Sequence, residues 1–480
     1  MDVYDELMQI CGFEPGEAKE YKPTLKAGLE KWLVTEDDVR FAVTERLPKC
    51  WSTNLEGMRK ILGCWLKEFI RVVMPTPEET RTCHVLYPQP GMLYLDPIKR
   101  ADPTVQVGVP DCLATLVGSA YFGVGWKYVE AAEKEGAAIE HVTCSLNKAR
   151  YGLHVLGILP RAEASLAFHT FCEDASLADQ LIYEWDGTRT WTPYRVRDIP
   201  FEGDPFDEEN IHYFAASLKE GHRKAEEWLG IEIKDEHREA AMEVLGRGFI
   251  EIMSPIWGHM KEDPAPLNAN DVIYATLPIA SALDIGYDEF FEANDILQEE
   301  LMEMVEKGEG VVPRGTPRVA WRGVHPWGCP WLIPMCHELG LSADSPEAFL
   351  FGEFAIGNAM EAVGGEDDMY MLMARLLALI SVVGTSVEFV YQSTADHIKE
   401  YKMDGLISSA YRPCRAFASH SLMLARMIEQ RMGIPCITPD VDIYIDRGDF
   451  PKERMKTILE TFADVVRKSK AKRAEEGVTQ

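Results

Sequence analysis

The stretch 393–437 constrains the fold more than any other part of the chain. Residues 393–401 have helical character, and Gly405-Leu406-Ile407-Ser408-Ser409 is a strand candidate. A loop carries Arg412-Pro413-Cys414-Arg415, and a helix is expected from about His420 to Met432. Gly433 closes that helix, and Ile434-Pro435-Cys436-Ile437 begins the next strand. Helix, strand, loop, helix, strand is the order of an open parallel α/β sheet.

The same alternation starts earlier, near residue 101. Residues 105–109 and 164–168 are strand candidates, each followed by helical stretches. Residues 318–321 and 349–354 are strand candidates that open the later alternating region. A clear amphipathic helix spans 209–229, with Ile211, Phe214, Leu218, Ala225, Trp228 and Leu229 on its apolar stripe and Gly230 at its end. Another covers 55–72, where Leu55, Met58, Ile61, Leu62, Trp65 and Phe69 recur with helical spacing. At 480 residues the chain exceeds one ordinary core. The expected division is a helical amino-terminal region at 1–100 and a first α/β domain at 101–230. A helical linking region at 231–316 and a second α/β domain at 317–480 follow.

The net charge of −29 argues against a nucleic-acid partner, because a polyanion is repelled over most of the surface. An apolar fraction of 46% with 26% charged residues is that of a globular protein in water. Residues 1–6 lack a basic region followed by an apolar run, so no secretory signal is expected. The apolar stretch 371–383 is interrupted by Arg375 and is too short to span a bilayer. No membrane partner and a cytoplasmic location are expected. The sequence contains no Gly-x-x-x-x-Gly-Lys-Ser/Thr loop, no Gly-x-Ser-x-Gly and no His-Glu-x-x-His.

Eleven cysteines occur, none as a Cys-x-x-Cys pair, so zinc ribbons and thioredoxin-type sites are poorly supported. Three stand out by position. Loops at the carboxyl ends of strands in open α/β sheets converge on one crevice. Cys414 and Cys172 lie where a strand gives way to a helix, and Cys144 precedes a helical stretch through Tyr151. A thiolate is favoured at a helix amino terminus by the unpaired N–H groups there. Three thiolates in one crevice could hold an iron–sulfur cluster, although on spacing alone buried structural cysteines are the commoner outcome.

Three segments carry a resemblance: Cys144-Ser145-Leu146-Asn147-Lys148-Ala149-Arg150-Tyr151-Gly152, Thr170-Phe171-Cys172-Glu173-Asp174, and Arg412-Pro413-Cys414-Arg415 between Met403-Asp404-Gly405 and Gly433-Ile434-Pro435. Arg197-Asp198-Ile199-Pro200-Phe201 and the acids Asp440 and Asp442 add to the pattern. Together they resemble the catalytic subunits of the 2-hydroxyacyl-CoA dehydratase and benzoyl-CoA reductase superfamily. The segment between Leu93 and Val142 and much of the amino-terminal region depart from that pattern. The resemblance implies an α/β fold class, with two flavodoxin-like open parallel-sheet domains beside helical amino-terminal and linking regions. It also implies a [4Fe–4S] cluster on Cys144, Cys172 and Cys414, or in some relatives a double-cubane cluster.

The activity it implies is radical dehydration of a 2-hydroxyacyl-CoA, started by one electron from an ATP-dependent iron–sulfur activator protein. The alternatives are a low-potential reductase of the same superfamily and a non-catalytic partner subunit. The implied partners are a CoA thioester or other small-molecule substrate, the activator, and a second chain in a homodimer or a heterodimer with a related subunit. Arg415 is a candidate to orient an acyl or phosphate oxygen, and Ser419 and His420 are candidates for proton transfer. Helix capping or surface solvation is an equal reading for each. Cys112 is an additional ligand candidate or a buried thiol, and Cys329 and Cys336 are read as packing.

Overall fold

The computed structural model describes residues 2–86, 91–136, 143–167, 173–191, 207–279, 281–322, 328–345, 368–381, 387–411, 414–442 and 452–476. Two four-stranded, wholly parallel sheets organise these residues. The first contains β1 (Arg81–Leu86), β2 (Val105–Gly108), β3 (Ala164–Ala167) and β4 (Thr190–Trp191), in the order β2-β1-β3-β4. The second contains β5 (Arg318–Arg322), β6 (Ser342–Ser345), β7 (Gly405–Ser408) and β9 (Cys436–Ile437), in the order β6-β5-β7-β9. Counted within each sheet, both orders are 2-1-3-4, and the fold is α/β with two flavodoxin-like parallel-sheet domains. A parallel pair of β8 (Ala410–Tyr411) and β10 (Asp440–Val441) lies just beyond β7 and β9.

Parallel strands are covered on both faces, so they read as short runs of small or apolar residues rather than as an alternation. Val105–Gly108, Ala164–Ala167 and Gly405–Ser408 are buried throughout. The register follows from these runs: Cys83 is opposite Ala164 across β1 and β3, and Val319 is opposite Gly405 across β5 and β7.

Two strands differ from expectation. β1 lies inside the 1–100 stretch expected to be helical, yet it is a central strand of the first sheet. Its sequence, Arg-Thr-Cys-His-Val-Leu, hides the signal because Thr82 and His84 are polar and still buried. β6, Ser342–Ser345, has almost no apolar content and is held by the ion pair of Asp344 with Arg318. The strand candidate at 349–354 and the Arg197–Phe201 segment lie outside the described residues. The last internal helix begins at Arg415 rather than near His420. Gly230 and Gly433 end their helices in the left-handed conformation, with φ of 65° and 69°.

The amino-terminal and linking helices frame the sheets. The helix Glu56–Arg71 packs on Asp288–Lys307 so closely that a Cβ on Gly57 would meet the Leu297 backbone. Glu300 caps the first of these helices, accepting the N–H groups of Glu56 and Gly57 at 2.7 and 2.9 Å. Trp65 donates to the Tyr274 carbonyl at 3.0 Å, tying the same helix to Ala269–Thr276. One apolar core runs through these helices and both sheets. Among the described residues no helix is long and apolar enough to cross a membrane.

Candidate metal centre

Cys144 and Cys414 occupy the same kind of position in the two domains. Cys144 is the N-cap of the helix Ser145–Val155, and Cys414 is the N-cap of Arg415–Met432. At such a position the first backbone N–H groups of the helix favour a thiolate. Both residues are partly exposed, whereas Cys11, Cys50, Cys64, Cys83, Cys112, Cys329 and Cys336 are buried. Cys172 lies outside the described residues, and the helix Glu173–Asp186 begins immediately after it.

Burial holds most of the other cysteines in the thiol form. Desolvation pushes the Cys50, Cys64 and Cys336 thiols up to about 12, and Cys112 well above the usual thiol range. Cys11 and Cys83 are raised for the same reason. These thiols are neutral at physiological pH and are poor metal ligands. Cys436 is also partly exposed, but burial of its sulfur and the nearby Glu429 carboxylate raise it too. It lines an apolar groove of about 590 Å³ beside β9, with Ile434, Ile437 and Phe462.

Two carboxylates hold the Cys144 turn from opposite domains. Asp174, in the first turn after position 172, accepts the Cys144 N–H at 2.9 Å and the Asn147 amide at 3.0 Å through one oxygen. Asp442 accepts the Ser145 hydroxyl at 2.5 Å, across 297 positions of sequence. Asp442 directly follows β10, which pairs with β8, and β8 ends three residues before Cys414. The Cys144 turn therefore sits between the start of the Glu173–Asp186 helix and the β8–β10 pair.

Helix packing fixes that turn further. Arg150 is 1% exposed and ion-pairs with Asp179 at 2.7 Å while donating to the Ala175 carbonyl, which joins the Ser145–Val155 and Glu173–Asp186 helices. Lys148 pairs with Glu133 at 3.0 Å on the preceding helix, Gly125–Lys134. Gly152 is required there, because a Cβ at that position would overlap the Tyr128 carbonyl.

The remaining sequence candidates fall on one helix. Arg415 is its first residue, and Ser419 and His420 are in its second turn. The side chains of Arg415 and Ser419 are outside the described residues, and His420 is partly exposed. Among the described residues no group of three or more His, Cys, Asp or Glu side chains is arranged as a metal site, and Cys172 is not among them. Cys144 and Cys414, partly exposed and each at a helix start, are of the kind that can ligate iron, unlike the thiols buried in the core. The Asp174 and Asp442 contacts escaped sequence reading. An acid in the first turn of a helix is ordinary, and nothing local reveals that its partner lies in another loop.

No curated protein matches the chain. A family model described as "2-hydroxyglutaryl-CoA dehydratase, D-component" matches residues 106–466, from β2 into the final helix, and the chain belongs to this family.

Proposed function

We propose that this chain is an iron–sulfur subunit of a radical 2-hydroxyacyl-CoA dehydratase, with Cys144, Cys172 and Cys414 holding a [4Fe–4S] cluster. The observation that carries the reading is the contrast between cysteines. Cys144 and Cys414 are partly exposed helix caps, and Asp442, which follows the strand paired with β8 just ahead of Cys414, bonds the turn that carries Cys144, while seven other described cysteines are buried. When bound, a cluster with three thiolate ligands supplies a low-potential electron and one iron open to a further ligand.

The chain's own residues would do the rest. The helix starts at Cys144 and Cys414 stabilise anionic sulfur through their first N–H groups. Arg415, on the first turn beside Cys414, is assigned to orient an acyl or phosphate oxygen of a CoA thioester. Ser419 and His420, one turn on, are assigned to proton transfer at the acyl chain. The sequence has no phosphate-binding loop of the Walker type, so the electron is assigned to a separate ATP-hydrolysing activator protein. A second, related subunit in the working enzyme fits the family's description as a component.

Anaerobic purification tests the proposal. The protein should be brown, with about four iron per chain for a single cubane and about twice that for a double cubane. Replacing Cys144, Cys172 or Cys414 by Ala should each remove the chromophore, and replacing Cys329 should not. Unchanged absorbance in all three variants would overturn the assignment.

A further inference from the structure

Asp174 and Asp442 are two carboxylates, from different domains, aimed at the one turn that carries Cys144. Asp174 accepts the backbone N–H of Cys144 itself, and its second donor, Asn147, comes from the first turn of the same helix. Asp442 accepts the hydroxyl of the next residue, Ser145. The Ser145–Val155 and Glu173–Asp186 helices are also joined by the buried Arg150–Asp179 pair, further along both helices. Both carboxylates are half-buried, where their charge is less screened than at the surface.

We propose that Asp174 and Asp442 are positioning residues that keep the reduction potential of a thiolate-bound centre at Cys144 low. The inference rests on the function proposed above. Hydrogen bonds donated to cluster sulfur, and net positive charge around it, favour the reduced state. Asp174 acts against both effects. It occupies the Cys144 N–H, so that donor is not available to sulfur, and it adds a negative charge beside the ligand. Asp442 adds a second negative charge and holds Ser145 with its hydroxyl turned toward the carboxylate. A centre that must pass an electron to a thioester benefits from being hard to reduce.

The experiment is a redox titration of the anaerobically purified full-length protein, followed by absorbance and electron paramagnetic resonance. Asp174→Asn keeps an acceptor for the Cys144 N–H and removes only the charge. It should retain its iron and show a midpoint shifted to more positive potential. Asp442→Asn should shift in the same direction. Asp235→Asn, at a highly exposed surface acid, should leave the midpoint where it is in the unmodified protein. Asp174→Ala should in addition lose iron faster to a chelator. If Asp174→Asn does not fold, Asp442→Asn decides alone. Midpoints indistinguishable from that of Asp235→Asn would overturn the inference. Colourless unmodified protein would instead overturn the function on which it rests, so the two failures are separable.

Discussion

The two parallel sheets share a strand order and even a leading arginine, but they surround that arginine with very different amounts of water. Arg81 opens β1 and pairs with Asp102, just ahead of β2, with both side chains about a quarter exposed (27% and 26%). Arg318 opens β5 and pairs with Asp344 on β6 at 2.9 Å, with exposures of 7% and 0%. Each arginine also reaches a carbonyl at the end of a helix, Leu229 for Arg81 and Met260 for Arg318. At the carboxyl ends the contrast takes another form. The first domain locks its helices with the buried Arg150–Asp179 pair, and the second uses hydroxyls. There Ser421 donates to the Ser409 carbonyl at 2.6 Å and Ser408 donates to the Ser421 carbonyl at 3.2 Å. One topology thus delivers helix starts to the same edge twice, while the chemistry that fastens them varies. Strand order decides where a helix can begin; side chains decide how firmly it is held.

The largest effect should come from the buried member of the arginine pairs. Asp344→Ala leaves the Arg318 guanidinium without its carboxylate and should lower the unfolding free energy by about 3–5 kcal/mol in a denaturant titration. A loss under about 1 kcal/mol would erase the distinction between the domains. Asp179→Ala strands Arg150 in the same way, and a loss of about 3 kcal/mol is expected because Asp179 is slightly more accessible.

The helical frame that both domains share supplies a pH-dependent test. Asp271 is fully buried and accepts from Ser52 and Asn268, yet desolvation raises its carboxyl from 3.8 to about 6. The folded state therefore binds this proton more tightly than the unfolded state. Its contribution to stability is complete below about pH 4 and declines as pH rises through about 6, by up to about 3 kcal/mol. In Asp271→Asn that slope should vanish from unfolding curves measured between these pH values. Persistence of the full slope would assign it to other groups.

Smaller effects should separate the two ways of fastening helices. Ser421→Ala removes one buried neutral hydrogen bond and should cost about 1 kcal/mol, well below Asp179→Ala. Asp102→Ala, the more exposed counterpart of Asp344→Ala, should cost at most about 1 kcal/mol, and less at high salt. Were Asp102 and Asp344 to cost the same, the difference in burial would carry no energetic meaning.

Much of the fold can be read locally. The alternation at 393–437, the helix ended by Gly230 and the strands at 105–108, 164–167, 318–322 and 405–408 all follow from short-range patterns. The start of the Arg415–Met432 helix does not, because its N-cap is a cysteine rather than Ser, Thr, Asp or Asn. β1 and β6 were illegible for a related reason. Thr82, Ser342 and Asp344 look like surface residues until partners such as Gln106 and Arg318 make their burial tolerable.

The sequence by itself determined that strands and helices would alternate, and that Cys144 and Cys414 would lie in segments leading into two of the helices. That is local information, carried by strand runs, breaking residues and helical spacing within some twenty positions. Only the tertiary structure decided which beginnings face each other. The Ser145–Asp442 bond and the Cys144–Asp174 bond join loops whose separation in the chain leaves no periodic trace. Such contacts arise from how the sheets and helices pack, and their free energy is gained only after the ends of long loops have been brought together.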